Sequence, residues 1–141
     1  MESRLEQSLN LLLESERAGV AALDALSGQV DHPDLQRLLM TSREDEAADA
    51  AALEALIREG GGRPSTMTGP FAGKVAAAAT LRDRLQLLIH GEEWMARKLE
   101  EALALAPSGA IRERLEKMAR RHRFEVEWGR AELIRLMDTL A

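Results

Sequence analysis

Glu16, Glu46, Asp49, Glu92, His122 and Glu125 are the residues whose types and spacing suit a chemical role in this chain. Each falls on a run of apolar residues with helical spacing. Glu16 lies between Leu12 and Val20, and Asp45, Glu46 and Asp49 lie between Leu39 and Leu53. Glu92 lies between Leu88 and Met95, while His122 and Glu125 follow Leu115 and Met118. Residues three or four apart share a face of a helix, so every run carries an ionisable group on the side that should be buried. Carboxylates gathered in one apolar layer repel one another and lose hydration; they require protons, arginines or a cation. A pair of divalent iron or manganese ions, held by oxygen and imidazole, meets that requirement.

These positions also agree in height. Glu16 precedes Gly28 by 12 residues and Glu46 follows Asp34 by 12, so antiparallel helices joined by a short turn set them level. Glu92 precedes Pro107 by 15 residues and His122 follows it by 15. The competing reading is that each glutamate sits at the flank of its stripe and reaches water, or pairs with Arg17, Arg43, Arg97 or Arg121. His122 alone would then be an ordinary packed histidine.

The elements that must position these residues are helices. Ser3 with Glu6 has the form of a capping box for a first helix ending near Ser27, closed by a left-handed Gly28. Asp31-His32-Pro33-Asp34 opens a second helix that continues to about Glu59. Glycines 60–62, Pro64 and Pro70 break the chain. A third helix is expected from Pro70 or Phe71 to about Ala104; its length raises the expectation of a kink or a separate first segment around Lys74 to Thr80. After Pro107-Ser108-Gly109 a fourth helix runs to about Asp138. One-sided apolar stripes on all four, with no segment of period two, predict an all-α four-helix bundle occupying 1–141 as one domain. The segment from Gly60 to Gly69 spans about 35 Å when stretched, so simple up-down-up-down connectivity is expected. A crossover requires that residues up to about Thr80 also leave the third helix.

Composition narrows the function classes. The chain has no cysteine, which removes disulfides, thiol nucleophiles and sulfur-held metal clusters. With 19 Lys and Arg against 24 Asp and Glu, the formal charge is -5. No nucleic-acid motif accompanies Arg120-Arg121-His122-Arg123, which reads as a solvated helix face, so no nucleic-acid partner is expected. Leu9 to Leu13 is too short for a signal or membrane span; a cytoplasmic location with no membrane partner is expected. Trp94 and Trp128 are expected to cover helix crossings. Gly91 and Gly129 suit close backbone approach or a local bend, and His90 is expected at the surface. The 60–70 loop lacks the ending of a phosphate-binding loop.

Leu12-Leu13-Glu14-Ser15-Glu16-Arg17-Ala18-Gly19, Asp45-Glu46-Ala47, Pro64-Ser65 through Gly69, Phe71 and Lys74 form one set of motifs. Gly91-Glu92-Glu93-Trp94, Arg97-Lys98-Leu99 and Met118 with His122 complete it. With these the chain resembles a largely uncharacterised bacterial family of ferritin-like helical proteins, over nearly its whole length. The resemblance implies a ferritin-like bundle in which Glu16 and Glu92 take the single-glutamate positions of a di-iron site. Glu46-x-x-Asp49 and His122-x-x-Glu125 then stand where Glu-x-x-His is usual. Metal-assisted oxidation is the reaction expected if the protein is an enzyme. The alternative is a noncatalytic helical interaction protein; in either case a homodimer is the expected assembly. A third option is a small-molecule site beside Trp94 or Trp128.

Overall fold

A computed structural model describes residues 1–139. The chain forms an all-α bundle of five helices: α1 (Ser3–Ser27), α2 (Pro33–Glu59), α3 (Phe71–Ala77), α4 (Leu81–Leu105) and α5 (Ala110–Met137), with no strand among the described residues. The expected third helix is therefore two, separated at Ala78–Thr80. Thr80 caps α4 by accepting a hydrogen bond from the Asp83 amide at 3.1 Å, which fixes a new start there.

Two local expectations are corrected. The cap of α1 is Glu2, whose carboxylate accepts from the Arg4 and Leu5 amides, both at 2.9 Å; Ser3 is already helical. The two oxygens of the Glu2 carboxylate each accept from one of the orphan amides. Gly28 closes α1 with φ −76°, an ordinary right-handed value. Its lack of a side chain is not needed there.

Neighbouring long helices are antiparallel. Asp24 pairs with Arg43 and Arg17 with Glu54 across α1 and α2; Glu100 with Arg123 and Glu93 with Arg130 across α4 and α5. Glu59 with Arg114 ties α2 to α5, and Gln29, two residues past the end of α1, accepts from Arg84 of α4. These pairs make α4 begin at the same end as α2 and run parallel to it. The alternating up-down connectivity is thus replaced by a crossover in which residues 60–80 travel back along the bundle.

The outer face of α1 guides that crossover. The Glu6 carboxylate accepts from the Arg63 amide at 3.0 Å, and Asn10 both donates to the Arg63 carbonyl and accepts from the Ser65 amide. Arg17 donates to the Ser65 and Met67 carbonyls, and the Gly69 amide donates to the Glu14 carbonyl. Extended backbone thus finds successive partners one helical turn apart. Phe71 then lies against Gly91, where a Cβ would come within 2.8 Å of the ring. Gly91 serves close approach; Gly129 has nothing within 4 Å of its would-be Cβ.

The core is divided. One apolar cluster gathers Leu5, Leu9, Leu12, Leu53, Leu56, Leu99 and Leu115; the other gathers Leu23, Leu26, Leu35, Leu39, Val75, Leu85 and Leu133. Between them in chain position lie the buried polar residues Glu16 on α1, Glu46 and Asp49 on α2, and His122 on α5. Because Phe71 anchors the crossover to the second cluster, Phe71→Ala is expected to cost about 2 kcal/mol in denaturant unfolding and to speed proteolysis within residues 60–80. The same truncation of exposed Met67 should change stability by less than about 0.5 kcal/mol. Equal effects at the two positions would contradict the anchoring.

Candidate metal centre

α1 delivers Glu16, α2 delivers Asp45, Glu46 and Asp49, α4 delivers Glu92, and α5 delivers Arg121, His122 and Glu125. Each set follows an apolar stripe inward, and the antiparallel registers above set the four helices level. Glu16 is 1% exposed, Asp49 and His122 2%, and Glu46 7%. One ligand atom from each of Glu16, Asp49 and His122 lies within 4.8 Å of the others. Ligands about 2.1 Å from a shared ion stand roughly 3 to 4.2 Å apart, so this set is spaced slightly wider than ligands on one ion. Oxygen and imidazole donors without sulfur suit iron, manganese or zinc.

The carboxyls of the layer are buried and incompletely partnered. Neither oxygen of Glu16 has a hydrogen-bond partner, and Oε2 of Glu46 has none. Burial pushes the Glu16 carboxyl well above the usual carboxylate range, and Glu92 and Glu125 add to the rise while Arg121 opposes it. Glu46 is raised by burial, then by the Glu92 charge and a hydrogen bond shared with Glu92. Glu125 is raised to about 7 by burial and by Asp45, with Arg121 pulling the other way. His122 Nε2 lies 3.3 Å from the Glu92 carbonyl oxygen and 3.5 Å from Glu92 Oε2.

The six predicted residues therefore converge, in two groups. Glu16, Asp49 and His122 form the inner triad, with Glu46 and Glu92 beside it. Glu125 turns toward Asp45 and Arg121, and is only half-buried. Of the arginines weighed as partners, Arg17 goes to Glu54 and Arg43 to Asp24. Arg121 alone reaches candidate residues, pairing with Asp49 and lying 3.5 Å from Glu125.

Sequence reasoning missed Gly19. A Cβ there would stand 2.5 Å from Glu46 Oε2, so the glycine makes the space that this carboxyl fills. The available signal was a glycine inside a helix, one turn from Glu16 on the same face, where alanine would favour the helix by about 1 kcal/mol. Trp128 is also misplaced by expectation: it is 56% exposed and covers no buried crossing. It forms part of the wall of a partly open cavity of about 90 Å³, whose polar end is Glu46, Asp49, Glu92 and His122. Trp94 packs against the first apolar cluster as expected, and His90 is exposed.

Residues 3–132 match a family model described as a domain of unknown function, DUF6306, and the chain belongs to that family. The match includes every residue of the layer. No curated protein and no solved structure matches the chain.

The raised carboxyls set the sign of a pH effect in metal-free protein. Glu16, Glu46 and Glu125 hold their protons more tightly folded than unfolded, so their contribution is complete below the usual value of 4.5 and is lost as pH rises through the folded values, about 7 for Glu125. Chelator-treated protein should unfold more easily at about pH 8 than at about pH 5, and Glu16→Gln should flatten that fall. A stability that rises over this interval would contradict the assignment.

Proposed function

We propose that this member of the DUF6306 family binds divalent iron or manganese inside a ferritin-like bundle, with Glu16, Asp49 and His122 as the inner ligands and Glu46, Glu92 and Glu125 around them. The observation that carries this reading is Glu16, a carboxyl at 1% exposure with neither oxygen hydrogen-bonded. Burying such a group costs several kcal/mol, and leucine at the same position would avoid the cost. A cation shared with Asp49 and His122 gives the burial a use.

Two further features support the reading. The crossover between α2 and α4, with all neighbouring long helices antiparallel, is the arrangement a ferritin-like scaffold needs to bring ligands from four helices together. The apolar clusters above and below the layer limit its contact with water, which strengthens an ion's attraction for its ligands. Bound iron would supply redox chemistry, while the chain's own residues hold the ion, keep it dry and admit small molecules along the cavity beside Trp128.

A second reading, a noncatalytic helical protein that associates through one face into a homodimer, is favoured by Phe124 and Trp128. They stand one helical turn apart on α5, 69% and 56% exposed. Metal uptake separates the two. Anaerobic titration of metal-free protein with iron(II) or manganese(II) should give saturable uptake, weakened at least about tenfold by His122→Ala or Glu16→Ala. Absence of uptake by the parent would leave only the association reading standing.

A further inference from the structure

We propose that the centre takes one divalent ion per chain, because the Arg121 guanidinium already stands where a second ion would. This inference rests on the metal-binding reading and sets the stoichiometry of the same site.

The acidic residues of the layer divide according to whether a cation faces them. On the inner side, Glu16 and Glu46 have carboxylate oxygens with no partner at all, and His122 lies beside Glu92. No guanidinium pairs with Glu16, Glu46 or Glu92 among the described residues. On the outer side, Arg121 pairs with Asp49 and lies 3.5 Å from Glu125. Asp49 belongs to both groups: it supplies an atom to the triad with Glu16 and His122 and is also paired with Arg121.

A two-ion centre in this layer would need a carboxylate shared by both ions and a further carboxylate for the outer one. Asp49 and Glu125 are the residues in those places, and both are occupied by Arg121. The neighbouring cations of α5 behave differently: Arg123 is drawn to Glu100 and Arg130 to Glu93, away from the layer. The guanidinium remains charged at every accessible pH, so deprotonation cannot clear the position for an ion. It is also tethered by its own helix, so an arriving ion competes with a cation that never dilutes away. Displacing it would part the guanidinium from Asp49, whose side chain is 3% exposed, and from Glu125. Glu16, Glu46 and His122 pair with no guanidinium among the described residues, so an inner ion meets Arg121 only at Asp49.

The test is a manganese(II) titration of metal-free protein, read by equilibrium dialysis and by electron paramagnetic resonance. The parent is expected to saturate at one equivalent with the spectrum of an isolated ion. Arg121→Gln, which keeps a side chain of similar length without the charge, should take a second equivalent and show coupling between neighbouring ions. Arg121→Lys should restore a single equivalent. Two equivalents in the parent, or one in a folded Arg121→Gln protein, would overturn the inference while leaving metal binding intact. If Arg121→Gln does not fold, the parent's own stoichiometry and spectrum still decide. No uptake by the parent overturns the metal-binding reading itself.

Discussion

Glu16 and Glu46 bring two carboxyl groups into the middle of a helical core, and the rest of the bundle is arranged around the cost of keeping them there. Apolar residues fill the space on either side of their layer, leaving the cavity beside Trp128 as its opening toward solvent. Gly19 removes a side chain so that the Glu46 carboxyl has somewhere to lie. Arg121 offsets the charge of Asp49 without reaching the unpartnered oxygens further in. Protons can hold such a layer together, at the expense of its usefulness as a set of ligands; a cation can do so while using every group.

Connectivity matters because it decides which helices face one another. With the crossover, α1 lies against α4 as well as α2, and α2 lies against α5. Glu92 thereby comes beside Glu46 and His122, and Asp49 beside Arg121. The level at which they meet depends on apolar packing and on the many pairs at the surface, such as Asp24 with Arg43 and Glu59 with Arg114. Each exposed pair contributes little, about 0 to 1 kcal/mol, yet together they disfavour a shifted register.

Much of this could be read from residue order. The stripes around Leu9, Leu39, Leu88 and Leu115 identify the long helices, because a 3.6-residue period and a buried face are two views of one fact. Counting from the turns places Glu16, Glu46, Glu92 and His122 at one height, and the structure brings them together. The crossover was harder to see. Its partners, Glu6, Asn10 and Arg17, have the spacing of an ordinary solvated helix face, and nothing in their types announces that backbone will lie across them. Side-chain direction was harder still: Glu125 is one turn from His122, yet small differences in angle around α5 send it to Asp45 and Arg121. Arg121 sits in a basic run in which Arg120 and Arg123 are exposed and His122 is buried, so its role depends on three-dimensional context. Glu2 displaced Ser3 as a cap for a similar reason, since either residue satisfies the pattern and local geometry chooses.

The central claim is that Glu16 stays neutral in the dry interior until a cation draws out its proton. Carbon-13 NMR of side-chain carboxyls, with Glu16 assigned by its Glu16→Gln variant, tests this directly in metal-free protein and again after adding diamagnetic zinc(II). The account predicts a Glu16 carboxyl that keeps its proton well above the ordinary carboxylate range without metal and is ionised once zinc is bound. A Glu16 that titrates near 4.5 in the metal-free protein, unmoved by zinc, would contradict it.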